Sequence, residues 1–326
     1  MGGFCTSSCR KAFALKEFII SEKEAGITVF RYSSRLMASA PGGLIHKFIR
    51  NKNIELNGRK CREKDILKSG DRVCFFLSDE TFGKFCTEGS GHEKEQADRS
   101  HAGISLDKSR ILYEDEDYLF YDKPAGLRSQ SDAGGRVSLN DMLLGYTGVT
   151  GVFRPSICNR LDTNTSGIVL CGKSVKGLQN LNKAIRDRRI RKFYRCLLSG
   201  RIEEDMHLVS FLSSSEADNK VSILDEPKKG YREIITELSV IKADDSFTYA
   251  EIHLITGRKH QIRAQMAHIG HPVAGDRKYG TEIMMRDDIK RTMLHAFRVE
   301  LPEEILDGLT VYAPVPEDMQ RIIKEL

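Results

Sequence analysis

An α+β fold divided into a small and a large domain is what this sequence predicts. Three features carry that expectation. The chain has 326 residues and 40% hydrophobic content, enough for one large core and a second small one. Stretches whose apolar residues recur with a helical period are interleaved with stretches that alternate. A polar run over 81–109, rich in Gly, Ser, Glu and Lys and lacking periodic apolar residues, separates the two as a linker.

Residues 1–15 read as an extension, and residues 16–80 as the small domain. Helices are expected over 30–39 and 43–52; in the second, Leu44, Ile45, Phe48 and Ile49 share one face. Ile54-Glu55-Leu56 leads into Asn57-Gly58, a hairpin signal because both residue types accept positive φ. Gly70-Asp71 opens a strand over 73–77. The large domain, 110–326, begins with strands over 111–113 and 118–121, after which Lys123-Pro124-Ala125-Gly126-Leu127 breaks the regular structure. Ser174 is placed to cap a helix reaching about Arg189, with Val175, Leu178, Leu181 and Ile185 as its apolar face. A strand covers 193–198. Residues 231–242 and 247–255 alternate and flank Ala243-Asp244-Asp245-Ser246, so they form a hairpin. A helix over 260–269, strands over 294–299 and 310–313, and a closing helix over 317–326 complete the domain.

Composition narrows the function. No apolar run approaches the ~20 residues that span a bilayer, and the N-terminus lacks the sustained apolar core of a signal peptide. A cytoplasmic protein with no membrane partner is expected. Met1-Gly2-Gly3-Phe4-Cys5-Thr6 fits the loose N-myristoylation pattern, a match too short to carry weight. Eight Cys occur, none in C-x-x-C and several within apolar runs, which reads as reduced, mostly buried thiols. His260, His268 and His271 form a loose group without H-E-x-x-H or partnered Cys, so no metal is expected. Net charge is only +5 but is concentrated: 44–64 holds seven Lys or Arg against two acids, and 173–201 holds ten against one. Two such patches suit a phosphate backbone. In the first, Lys47, Arg50, Lys52, Arg59 and Lys60 gather around the second helix and the hairpin turn.

The stretch richest in chemistry is Asn159-Arg160-Leu161-Asp162-Thr163-Asn164-Thr165-Ser166-Gly167, which lies between the apolar runs 156–158 and 168–171. A carboxylate in such a turn can be held by backbone and hydroxyl donors, and can then serve as a nucleophile or a general base.

This stretch resembles the R-L-D-x-x-T-S-G signature of the RluA family of pseudouridine synthases. Three further blocks match that family in order. They are 113–117 through Lys123-Pro124-Ala125-Gly126-Leu127; Lys192-Phe193-Tyr194-Arg195; and Thr256-Gly257-Arg258-Lys259-His260-Gln261-Ile262-Arg263, continuing to Gly270-His271-Pro272-Val273-Ala274-Gly275-Asp276. The ordering of 16–80 resembles the αL RNA-binding fold of a ribosomal small-subunit protein, which many members carry at the N-terminus. The resemblance implies a pseudouridine synthase fold, a central mixed and largely antiparallel sheet with a basic cleft across it. It implies isomerisation of uridine in RNA, large-subunit ribosomal RNA before transfer RNA, by a monomer.

The family's reaction detaches uracil from ribose and rejoins it through a ring carbon. Nothing is oxidised, so no cofactor is expected. The base must leave its stack, and a carboxylate then attacks the anomeric carbon or removes a sugar proton. The resemblance gives Asp162 that role, Tyr194 the contact with the target base, and Arg263 the ion pair with the Asp. Arg258 and His260 are assigned to shaping the cleft or contacting RNA, and Arg160 to a phosphate or the flipped nucleotide. Asn159 stands where many members have His, and Lys259 where Thr or Ser is frequent.

Three rivals are weaker. Gly167 to Ser174 fits the Walker A spacing, but the residues between its glycines are apolar and read as strand, so ATP binding is not expected. A non-catalytic RNA-binding assembly factor would explain the basic patches but not the retained Asp162, Tyr194 and Arg263. A glycosidase needs two carboxylates, and only one is convincing.

Overall fold

The computed structural model describes residues 14–86, 105–131, 135–148, 151–214, 221–280 and 288–326. Nearly all of the N-terminal extension, with Cys5 and Cys9, and most of the expected linker lie outside these residues. The described chain groups into two compact units.

The first unit is built mainly from residues up to 105, with 142–155 and 173–177. Its four-stranded sheet has the order β1-β4-β2-β3 and is antiparallel throughout. The strands are β1 (Ala14–Ile19), β2 (Ile54–Leu56), β3 (Arg59–Lys60) and β4 (Arg72–Leu77). Helices α1 (Val29–Leu36) and α2 (Gly42–Arg50) bury Val29, Tyr32, Ile45 and Ile49 in one core with Ile54, Val73 and Phe75. Thr28 caps α1, its hydroxyl accepting from the Arg31 N–H at 3.3 Å. Asn57 and Gly58 take φ of 52° and 73°, the positive pair that a two-residue hairpin needs. The Asn57 side chain also bonds Asp71 and the Arg72 N–H, both at 2.9 Å. One expectation fails here. The polar run from Thr81 starts inside a helix, α3 (Asp79–Phe85), which Ser78 caps. Phe82 anchors it by packing on Phe18 and Phe75, with ring centroids 6.1 and 5.8 Å away.

The second unit is an eleven-stranded sheet. Its strands are β5 (Ile111–Glu114), β6 (Tyr118–Lys123), β7 (Ser156–Ile157), β8 (Ser166–Gly172), β9 (Arg191–Ser199), β10 (Met206–Ser214), β11 (Val221–Leu224), β12 (Arg232–Ala243), β13 (Phe247–Leu254), β14 (Leu294–Glu300) and β15 (Thr310–Tyr312). The path runs β11-β10-β12-β13-β9-β14-β8-β6-β5, with β15 on β14 and β7 on β8. Every pairing is antiparallel except β14 with β8, so the sheet is mixed and largely antiparallel. Helix α4 (Leu139–Thr147) lies between β6 and β7 in sequence, and α5 (Val175–Arg186) follows β8. The Ser174 hydroxyl accepts from the Gly177 N–H at 2.9 Å, in the capping position. Leu181 and Ala184 of α5 pack on Tyr118, Phe120, Ile168 and Leu170. Helix α6 (Gln261–His268) follows β13, and α7 (Glu317–Glu325) closes the chain, burying Met319 and Ile322 against Leu197, Phe247 and Tyr249. The Walker-spaced residues 168–171 are buried in β8 and paired to β6, which rules out a phosphate-binding loop.

β8 and β14 meet where Gly167 has φ +109° and lies opposite Ala296. A Cβ there would stand 2.2 Å from the Ala296 carbonyl oxygen. Neither the backbone angle nor the neighbouring strand can give way cheaply. Gly167→Ala is therefore expected to lower the unfolding free energy by about 3 kcal/mol or more. A urea midpoint equal to the wild type's would contradict this.

Candidate active site

β7 and β8 form a hairpin whose loop, 158–165, carries Asp162. The loop's backbone is held at several points. Asn159 ties its base, donating to the Ile168 carbonyl at 3.3 Å and accepting from the Leu170 N–H at 2.7 Å. The Ser129 hydroxyl accepts from the Leu161 N–H at 3.0 Å and donates to the Leu161 carbonyl at 2.7 Å. Lys123, at the end of β6, is wholly buried. Its ammonium donates to the carbonyls of Leu127, Pro124 and Thr163 at 2.7, 3.1 and 3.2 Å, so its three donors find three acceptors. Burial pushes the Lys123 amine down to about 7, with the Asp162 carboxylate opposing the shift.

The loop and the carboxylate are held by different groups, and the carboxylate by the ion pair that the resemblance assigns to Arg263. Backbone and hydroxyl groups fix the loop, and a guanidinium fixes the Asp162 side chain. Arg263 Nη1 donates to Asp162 Oδ2 at 2.7 Å. The other side of the same fork donates to Asp276, from Nε at 2.6 Å and Nη2 at 2.8 Å. Asp276 has no exposed side-chain surface, while Asp162 is 30% exposed. The result is a carboxylate–guanidinium–carboxylate chain with a buried inner end and an open outer end. Burial alone would raise the Asp276 carboxyl, but the Arg263 hydrogen bonds and charge bring it below its ordinary value. Burial alone would lower the Arg263 guanidinium, and its bonds to the two carboxylates raise it instead.

Helix α6 aims Arg263. Gln261 and Gln265 are buried on its sheet-facing side. Gln261 donates to the Ile235 carbonyl at 3.2 Å and to Thr236 at 3.0 Å, and Gln265 accepts from Thr236 at 2.6 Å and donates to Ser210 at 3.1 Å. Arg263, two residues past Gln261 and so about 200° round the helix, faces the Asp162 loop. His260, left-handed at φ 55°, is the residue that opens α6. Its Nδ1 is 2.8 Å from the Tyr279 hydroxyl, and its Nε2 is 3.8 Å from Asp162 Oδ1. Burial lowers the imidazole, against the pull of Asp162 and with the push of Arg263. Tyr194 on β9 is buried, and burial, reinforced by the Asp162 charge, raises its phenol. Tyr194 thus stays a protonated phenol within electrostatic reach of the carboxylate.

Asp162, Tyr194, Arg263 and His260 are therefore brought together. Arg258 is exposed, with its backbone N–H on Gln261, and the guanidinium that pairs with Asp162 is that of Arg263. Arg160 is exposed on the loop. Lys47, Arg50, Lys52, Arg59 and Lys60 are exposed in the first unit. His260, His268 and His271 diverge: His268 bonds Asp225 and His271 the Ser199 carbonyl. The second basic patch is less open than its composition implies. Arg191 pairs with Glu300 at 2.7 Å, Arg195 with Glu251 at 2.9 Å, Arg186 with Asp187, and Arg189 with Glu304. Sequence reasoning assigns no role to Lys123, Asp276 or Tyr279, although Lys123 and Asp276 fall within the matched blocks.

A family model described as RNA pseudouridylate synthase matches residues 117–268. An uncharacterized RNA pseudouridine synthase of Aquifex aeolicus is 30% identical over 245 residues, 72% of this chain and 71% of that protein. Ribosomal large subunit pseudouridine synthase C of Pasteurella multocida is 28% identical over 336 residues, 96% of this chain and 94% of that one. Among solved structures, human RNA pseudouridylate synthase domain containing 4 superposes with a TM-score of 0.56 at 18% identity, covering 71% of this chain and 98% of that one.

Proposed function

The chain belongs to the RNA pseudouridine synthases of the RluA type, and from that premise we propose that it modifies large-subunit ribosomal RNA with Asp162 as the reacting carboxylate. The Asp162–Arg263–Asp276 chain carries this reading. It leaves a single carboxylate oriented and solvent-accessible, beside a buried phenol and a lowered imidazole. The target uridine leaves its stack and enters the cleft. Asp162 attacks C1′ or removes a sugar proton, and the C–N glycosidic bond breaks. The uracil turns and C5 bonds to C1′ as Asp162 leaves that carbon, or returns the sugar proton; the C5 proton then departs and N1 takes one up. Arg263 offsets the charge of Asp162 and fixes its direction, and Tyr194 packs on the base.

Ribosomal RNA is favoured over transfer RNA because the Pasteurella multocida relative, aligned over nearly the whole chain, bears that name. The exposed Lys47, Arg50, Lys52, Arg59 and Lys60 would contact phosphates through the first unit.

The test is pseudouridine mapping on ribosomal and transfer RNA incubated with the protein. Discrete new sites in the large-subunit RNA are expected. Sites confined to transfer RNA would move the substrate to that class. No site in either would favour the binding-only alternative.

A further inference from the structure

Beside the reacting carboxylate, but not lined by it, is a cleft of about 580 Å³. Five cationic side chains form its walls, Arg263, Arg277, Lys278, Lys290 and Arg291, together with Asn164 of the Asp162 loop. Neither a carboxylate nor an aromatic ring lines it among the described residues, and Tyr194 is not part of it. A uracil needs an apolar face to stack on, so these walls do not suit the base. They suit an anion.

Two of the cations are already committed. Arg263 is forked between Asp162 and Asp276, and Arg291 is held by Asp318 at 2.6 and 2.8 Å. Arg277 and Lys290 differ: both are exposed, and neither makes an ion pair among the described residues. They reach the cleft from separate segments, one after α6 and one before β14. Like charges converging on one concavity repel one another unless something negative sits between them, and such a concavity concentrates the field on its contents.

The geometry points to this cleft as the subsite for the RNA backbone phosphates flanking the target nucleotide, with Arg277 and Lys290 as their partners. The assignment rests on the functional reading above. It adds the chemistry that would hold the strand while the base is turned toward Asp162. Arg263 borders both the cleft and the carboxylate, so a phosphate seated here is one guanidinium away from the reacting group. Recognition at this point is of charge and not of sequence.

The test compares the wild type with the Arg277→Ala/Lys290→Ala double variant. Binding of a fluorescent single-stranded oligouridylate is measured at graded potassium chloride, and again with the uncharged methylphosphonate form of the same oligomer. Loss of two phosphate contacts should weaken phosphodiester binding by about ten- to a hundredfold. The slope of log affinity against log salt should fall by about 1.4. The methylphosphonate oligomer should bind both proteins equally. A second double variant, Lys228→Ala/Lys229→Ala, exposed residues between β11 and β12 that belong to neither basic stretch, should bind as the wild type does. Unchanged phosphodiester affinity in Arg277→Ala/Lys290→Ala would overturn the proposal, as would an equal loss in Lys228→Ala/Lys229→Ala or an equal loss on the neutral oligomer. Binding is read without turnover, so a failure of pseudouridine formation would sink the functional reading and leave this comparison intact.

Discussion

Asp162→Ala is expected to reduce conversion of uridine by a factor of about 10⁴ or more, the scale seen when a residue at the centre of a catalytic unit is removed. Asp162→Asn should do nearly the same. Its amide keeps the shape but can neither form a stable bond to C1′ nor accept a sugar proton. Both variants should fold, because Asp162 is 30% exposed and the loop that carries it is held by Asn159, Ser129 and Lys123 rather than by the carboxylate. Arg263 keeps its fork on Asp276 in either variant. RNA affinity should be retained or increased, since a negative group facing a polyanion is lost. Single-turnover assays with gel-shift titrations on the same RNA separate the two quantities. Turnover within tenfold of wild type in both variants would remove Asp162 from the chemistry.

The hairpin that presents Asp162 is legible because two apolar runs flank a polar turn, and a run of four such residues buried on both faces has few alternatives to strand. The β12–β13 hairpin is legible for the complementary reason, since apolar and polar residues alternate along both strands, although the first half of β13 is covered on both faces. β10 and β11 are not legible. Met206–Ser214 mixes apolar and hydroxyl residues, and its pairing to β12 supplies an order that its own pattern lacks. Helix α3 is lost in a polar run because its seven residues, Asp79–Phe85, bury none of themselves completely and depend on a single ring, Phe82, for their place. The charge of 173–201 misleads in a different way. Its partners Glu251, Glu300 and Glu304 lie far along the chain, and only folding brings them near. Asp276 is hidden for another reason, because an Asp after a Gly reads as a turn until Arg263 is seen to close on it.

Asp276→Ala is therefore expected to have the second-largest effect, first on stability and then on catalysis. It removes a fully buried carboxylate that accepts from Nε and Nη2 of Arg263 and from the backbone N–H groups of Lys278 and Tyr279 at 2.9 and 3.2 Å. Breaking a buried pair from one side costs about 3–5 kcal/mol when the other charge is left alone; Arg263 keeps Asp162 as a partner at 2.7 Å, so the loss should lie at the lower end, about 3 kcal/mol, read as a lower urea midpoint. Asp276→Asn keeps an acceptor for the backbone groups and should lose less. The Asp276 carboxyl lies below its ordinary value in the folded protein. Its contribution is thus full above the unfolded value of about 3.9 and is lost as pH falls through the folded one. The stability gap between wild type and Asp276→Asn should accordingly narrow in acid. Asp276 does not touch the substrate, so it acts as a positioning residue. With Arg263 free to turn, kcat should fall well below wild type at temperatures where the variant is fully folded, while KM changes little. Loss of stability with an unchanged kcat would confine Asp276 to the core and leave Asp162 oriented by Arg263 alone.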